Sequence, residues 1–133
     1  MATALVLLCA ATVIALPAQT FTTLVNFDGS NGAGPVYMAL IQGTDGKLYG
    51  TTTAGGIGGY GTVFKMTRQG TLTTLHSFAM TDGSHPEGAL VQATNGSFYG
   101  TASLGGVNGS GTVFEITPQG TFSTKQFQSH PRG

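Results

Sequence analysis

The sequence predicts an all-β fold of tandem four-stranded antiparallel meanders, and three observations carry the prediction. First, ALIQGTDGKLYGTTTAGGIGGYGTVFKMTRQG, residues 39 to 70, aligns without gaps on ALVQATNGSFYGTASLGGVNGSGTVFEITPQG, residues 89 to 120. Self-similarity at a fixed period marks a repeated structural unit. Second, each copy consists of short runs rich in Val, Ile, Thr, Phe and Tyr, broken by Gly and by Asp-Gly or Asn-Gly steps, and no helix fits. Third, charged residues are only 8% and glycines number 22 of 133, against averages of roughly 25% and 7%. Strands covered on both faces have that character, because neither side can carry charge.

From the N-terminus, MATALVLLCAATVIALPAQT runs apolar from Ala4 to Leu16, with Thr12 the single polar residue, and then meets Pro17, Ala18 and Gln19. This reads as a secretory signal over residues 1–18, too short to span a bilayer, which needs ~20 residues. Cys9 is the one cysteine and lies inside that segment. A lipid-anchor reading of LVLLC is disfavoured, since Leu8 stands where a small residue is wanted. With the signal removed, the remaining chain has no thiol for a disulfide or a thiolate metal site.

The repeat region is expected over 19–133. TFTTLVNF, Thr20 to Phe27, matches TLTTLHSF at 71 to 78 and TFSTKQFQ at 121 to 128. It is therefore expected as a strand equivalent to the last strand of a preceding unit. The first full unit spans 35–78, with strands near ALIQGT, KLYGTTT, GTVFKMT and TLTTLHSF, and the second spans 86–128 with strands at the equivalent places. Asp45-Gly46 and Asn95-Gly96 suggest two-residue hairpins with positive φ at both central positions. Gln69-Gly70 and Gln119-Gly120 mark the later turn. A four-stranded meander of this size has the layout of one β-propeller blade, so the chain reads as a partial propeller of two blades plus the N-terminal strand. Two blades are too few to close a ring of ~4 to 8. The expectation is a fragment, or a chain that self-associates through its open blade faces.

The string QGTDGKLYG at Gln42 to Gly50, followed by Thr51, Gly55-Gly56, GTVFK and a closing Gly70, resembles the tandem GloVer repeat of bacterial extracytoplasmic proteins. The resemblance covers nearly all of residues 20 to 128. More loosely, each unit is similar to the blades of two-component regulator propellers. The resemblance implies an exported repeat protein at the cell surface or outside it, usually with more copies and often with a separate anchor. It implies no enzyme activity and no ligand.

Several stretches invite a chemical reading. GGIGGYGTVFK places Gly56, Gly58, Gly61 and Val63 at the spacing of a loop that covers nucleotide phosphates. The second copy, GGVNGSGTVFE, exchanges Gly58 for Asn108 and Lys65 for Glu115 while keeping Gly55, Gly56, Gly59 and Gly61 as Gly105, Gly106, Gly109 and Gly111. A turn explains that pattern, Asn being the residue after Gly that best tolerates the left-handed region. No helix follows to face a pyrophosphate, so no nucleotide and no other cofactor is expected. In TDGSHPE, Asp82, His85 and Glu87 offer two carboxylates and an imidazole. Their counterparts in SNGAGPV are Asn31, Gly34 and Val36, leaving only Gly and Pro35/Pro86 shared, which are turn residues. Asp28 in FDGSNG has the oxygens of a partial calcium loop without its closing glutamate, and an Asx turn is favoured. His76 is expected to pack on one face with Leu72 and Phe78. Tyr49 and Tyr99 could stack sugars, but packing between blades is the better reading, with Gly50 and Gly100 admitting a neighbouring backbone.

Five basic and five acidic residues cancel without clustering, which excludes a phosphate-tracking stripe and therefore nucleic acid as a partner. The expected function is an exported, non-catalytic binding or structural module, with an extracellular glycan or protein as ligand, no metal and no catalytic residue. The competing expectation is a carbohydrate-active enzyme or accessory domain using Asp28, Asp82, His85 or Glu87 in a groove at one end of the blades.

Overall fold

The structure, a computed structural model, describes residues 12–125. Eight strands occur among them: β1 (Ile41–Gln42), β2 (Leu48–Thr52), β3 (Thr62–Met66), β4 (Leu72–Ser77), β5 (Ser84–Gln92), β6 (Phe98–Leu104), β7 (Thr112–Ile116) and β8 (Phe122–Lys125). They form two four-stranded antiparallel sheets, β1 to β4 and β5 to β8, each ordered as in the chain. Each sheet is one blade, and the two share one core cluster that includes Tyr49, Val63, Phe78, Phe98, Phe114 and Ile116. The all-β architecture read from the repeat is therefore the observed one, with no helix among the described residues.

The hairpins differ from the sequence expectation. Gly46 N donates to Gly43 O and Gly43 N to Lys47 O, both at 2.9 Å, which closes a three-residue loop. Only Gly46 has positive φ there, at 78°, while Asp45 does not. The same pair of bonds recurs at Ala93/Ser97 with Gly96, at Thr67/Thr71 with Gly70, and at Thr117/Thr121 with Gly120. All four connections are thus one turn type ending in a left-handed glycine bulge. Gln69 and Gln119 explain why: glutamine has no special tolerance for positive φ, so a turn admitting Asp, Asn and Gln before the glycine cannot demand it.

Stacking follows from which side each strand presents. Tyr49, Thr51, Val63 and Lys65 lie on one side of blade 1, since Tyr49 pairs with Lys65 and Thr51 with Val63. That side meets Phe98, Phe114 and Ile116 of blade 2. Tyr49 stacks on Phe98 with centroids 4.0 Å apart, and Phe78 sets its edge to Phe114 at 5.3 Å. Lys65 Nζ caps the seam by donating to Pro118 O at 2.8 Å. In β4 the register shifts between Val63 and Phe64, so Leu75 is an extra residue in a bulge. A bulge reverses alternation. His76 and Phe78 therefore face blade 2 while Leu72 faces the other way, correcting the expectation that all three share a face. Gly50 and Gly100 are also explained differently. The place of a side chain is taken at Gly50 by Met38 and the cross-strand ring of Phe64, and at Gly100 by the cross-strand ring of Phe114 and Leu90, rather than by an approaching backbone.

Residues 20–27 are not a strand, yet they occupy the place that the repeat assigned to one. Phe27 sets its edge to Phe64 at 5.3 Å and 62°, as Phe78 does to Phe114 at 5.3 Å and 68°. The Leu24 carbonyl lies over Gly70 as the Leu75 carbonyl lies over Gly120. Position comes from the apolar side chains, whereas strand character needs a hydrogen-bonded neighbour. Among the described residues no strand lies beside this segment.

Thr51 is 2% exposed, and its Oγ1 is the one buried side-chain polar atom without a partner among the described residues. Its counterpart Thr101 Oγ1 reaches Glu87 O at 3.4 Å. An unpaired buried hydroxyl costs about 1–3 kcal/mol, so Thr51→Val, which keeps shape and β-branching, is expected to stabilise the fold by about 1 kcal/mol. Urea unfolding should show a higher midpoint at unchanged slope.

Candidate functional site

The glycine loop is built by inward bonds. Gly56 N donates to Gly29 O at 2.9 Å, Gly59 N to Gly56 O at 3.2 Å and Gly61 N to Gly55 O at 3.0 Å. The second copy repeats each bond, with Gly106 N to Met80 O, Gly109 N to Gly106 O and Gly111 N to Gly105 O. Amides spent in this way are not offered to a phosphate. Gly55, Gly56, Gly59 and Gly61 and their four counterparts all have φ between 71° and 101°, as the kept glycines suggested. Gly58 and Asn108 are absent from the positive-φ set. That exchange is tolerated because the position is not left-handed at all, which replaces the reason given from sequence.

The polar candidates divide between separate tasks. Asp28 Oδ1 accepts from Ser30 N, Ser30 Oγ and Asn31 N at 2.9, 2.7 and 3.1 Å, an Asx turn. Asp82 Oδ1 accepts from Ala79 N at 2.9 Å, just as its counterpart Asn31 Oδ1 accepts from Asp28 N at 3.0 Å. The remaining side-chain atom explains the exchange of Asp for Asn. Asn31 Nδ2 donates to a carbonyl, Asn26 O, while Asp82 Oδ2 faces the His76 ring nitrogen Nε2 at 2.8 Å. A carboxylate only accepts, so Nε2 carries the proton. The His76 ring also stacks on Phe122 at 3.6 Å and 5°. His85 has φ 55°, matching Gly34 at 60°, and its Nδ1 lies 2.6 Å from Ser84 Oγ. Glu87 is exposed, and its carboxylate makes no hydrogen bond or ion pair among the described residues. Asp82 and His85 are thus held in different bonds, and no three His, Cys, Asp or Glu among the described residues are grouped to hold a metal.

The pairing of His76 with Asp82 was missed from sequence. Its signal was present but split. His76 replaces Val25 and Asp82 replaces Asn31, two changes in one unit whose atoms are complementary.

Three carboxyls are held below their ordinary values. Asp28 is lowered by the Ser30 hydroxyl and then the Asn31 amide. Burial pushes Asp45 up, but the Tyr49 hydroxyl, which donates to Oδ2 at 2.7 Å, and the Lys47 amide and charge outweigh it. Glu115 is lowered by Ser97 first, with Tyr99 and Lys125 outweighing its burial. Burial, then Asp45, raises the Tyr49 hydroxyl above its usual value. For the three acids the unfolded chain binds protons more tightly, so stability rises with pH across this range. Their contribution is complete above the ordinary values of 3.8 and 4.5 and is lost as pH falls through the lowered ones. The urea midpoint is expected to drop as pH falls from roughly 5 to below 3, and by less in Asp45→Asn.

Neither outer side of the pair of blades is covered by a further sheet among the described residues. On blade 2, Thr101, Ser103, Ser110, Thr112, Val113 and Lys125 surround a hollow of about 340 Å³. Val113 is half-buried there, whereas its counterpart Val63 is fully covered by blade 2. On blade 1, residues 21–25 and Phe27 together with Pro35, Met38, Leu40, Phe64 and Met66 line an apolar groove of about 360 Å³.

A family model described as the Gloeobacter/Verrucomicrobia repeat matches residues 11–131. The chain belongs to the Gloeobacter/Verrucomicrobia repeat family. The match takes in both blades and the segment over blade 1, in agreement with the resemblance read from the repeated string. No curated protein matches the chain. In this member of the repeat family, the residues kept between units include the left-handed glycines of the hairpins and of the glycine loop, Tyr49/Tyr99 and the Gly-Thr-Val-Phe strand. The structure uses them for turns and stacking, which is chemistry of the fold. Residues that differ between units, among them Pro118 against Arg68 and Lys65 against Glu115, lie on or beside the stacking faces.

Proposed function

We propose that the protein is an exported, non-catalytic module that acts by contact through its open blade faces. The observation that carries this reading is the asymmetry of the repeat. Blade 1 buries Tyr49 and Val63 completely against blade 2, while Tyr99 and Val113 in the same places on blade 2 are only half-buried and face outward. Export is supported by the apolar N-terminal run, of which Val13, Ile14 and Leu16 are 80% or more exposed; residues 1–11, with Cys9, lie outside the described residues. The engagement of Asp28, Asp82 and His85 in their own turns supports a non-catalytic role over the carbohydrate-active alternative.

Reducing-sugar release from a panel of extracellular polysaccharides tests the reading. No release above buffer is expected. Release abolished by Asp82→Asn or Glu87→Gln would establish the enzyme instead.

A further inference from the structure

We infer that the open face of blade 2 receives blade 1 of a second copy of this chain, head to tail, with Pro35 of one copy seated against Gly111 of the other. The inference rests on the reading of the chain as a contact module and names its partner.

The seam inside the chain supplies the pattern. There Pro86 is buried and its ring sits on Gly61, where an added Cβ would stand 2.6 Å from Pro86 Cδ. His85 N donates to Tyr60 O at 3.0 Å, Gln92 Oε1 accepts from Thr44 N at 2.9 Å, and Lys65 Nζ donates to Pro118 O at 2.8 Å. The first three contacts have a projecting member in the second unit and a receiving member in the first, and in the fourth Lys65 reaches from the first unit to the second. The repeat supplies the opposite set at the outer ends. Pro35, Gly34 and Gln42 are the projecting counterparts on blade 1, and all three are exposed. Gly111, Ser110 and Thr94 are the receiving counterparts on blade 2, and the hollow beside Gly111 is the place that the Pro86 ring fills one unit earlier.

Charge agrees with the pairing. Where Lys65 meets residue 118 within the chain, the contact between copies sets Glu115 against Arg68, which are of opposite sign and stand in no equivalent contact within one copy. Such an interface uses two different patches, so it closes into a ring only when the rotation per copy allows it.

One place is claimed twice. Residues 20–27 of the incoming copy and β8 of the receiving copy both correspond to β4. The strand that yields is β8, because the seam requires apolar groups where β4 has Leu75. Residues 20–27 supply Leu24 there, while β8 supplies Lys125, which is 62% exposed and joined to Glu115 at 3.6 Å in a weak surface pair. Phe21, 95% exposed, then takes the position of Phe122 on the His76 ring. The segment that has position without sheet hydrogen bonds gains them from β7 of its neighbour.

Size-exclusion with light scattering on the full chain, in a Cys9→Ser background, gives the first measurement. A discrete oligomer of two to four copies is expected, since propellers hold ~4 to 8 blades. Pro35→Arg, at an exposed site, should raise the dissociation constant at least about tenfold with an unchanged far-UV circular dichroism spectrum. Mixing Pro35→Cys chains with Ser110→Cys chains should give a disulfide-linked pair that neither forms alone. A wild-type chain that stays monomeric at hundreds of micromolar, or an oligomer indifferent to Pro35→Arg, overturns the contact. A monomer that binds a glycan or another protein without turnover defeats this inference and leaves the module reading standing. Sugar release defeats that reading whatever the oligomeric state.

Discussion

Phe78→Ala is expected to destabilise the protein by about 3–5 kcal/mol, a large part of the ~5–15 kcal/mol that holds a domain folded. Phe78 is fully buried, and its ring meets Phe114 at 5.3 Å, Phe122 at 5.6 Å and His76 at 5.1 Å. Its amide also donates to Gly61 O at 2.9 Å, tying the end of β4 to the glycine loop. Removing the ring opens a void between two blades that share one core, so both should unfold in a single transition at lower urea. The chain has no tryptophan and four tyrosines, and tyrosine fluorescence, with Tyr49 buried at the same seam, reports the loss beside far-UV circular dichroism. Phe27→Ala makes the internal control. Phe27 holds the equivalent position but is only half-buried, and Phe64 is its one aromatic contact among the described residues. A cost of about 1 kcal/mol is expected there, the transfer loss scaling with area removed from water. Near-equal losses at the two positions would mean that the seam is not where the stability resides.

What the sequence made legible was whatever repeats. The period, the strands around Leu48–Thr52 and Thr62–Met66, the left-handed glycines and the packing role of Tyr49 all depend on backbone requirements or apolar pattern. Both copies had to keep these. What it hid depends on geometry that one residue can change. A single extra residue at Leu75 turned His76 away from Leu72, because side-chain direction alternates and a bulge resets it. The hairpin class was misread from Asp45-Gly46 taken alone. Gln69 at the equivalent step of the later turn held the corrective information. The candidate site behaved in the same way. Asp82 was legible as a turn residue through Asn31, but its bond to His76 joins positions that the repeat compares only with Asn31 and Val25, neither of which makes such a pair. The extra residue between Pro35 and Leu40 also mattered. Tyr37 takes φ 57° there and β1 shrinks to Ile41–Gln42, against Ser84–Gln92 for β5.

Gly61→Ala should be strongly damaging, costing about 3 kcal/mol or more, while Gly59→Ala in the same loop should cost only about 1 kcal/mol. Both glycines are left-handed, at 101° and 81°, so each substitution carries the backbone penalty of an L residue. The difference lies in what surrounds them. A Cβ at Gly59 meets nothing within 4 Å, whereas one at Gly61 collides with the Thr52 carbonyl and with the Pro86 ring at 2.6 Å. The excess therefore combines the Thr52 carbonyl of blade 1 itself with the pressure of blade 2 through Pro86. A phosphate-covering loop would respond differently, losing ligand affinity at Gly56, Gly58 and Gly61 alike with little effect on folding. Gly111→Ala separates the two parts of the Gly61 loss. A Cβ there collides with the Ala102 carbonyl but has no proline of the same chain above it. In dilute protein it should cost less than Gly61→Ala by the share that belongs to Pro86. At concentrations where copies associate, Pro35 of a neighbour supplies the absent ring, and Gly111→Ala should then also weaken the oligomer. Urea unfolding run at low and high protein concentration reads both quantities, because only the second depends on mass action.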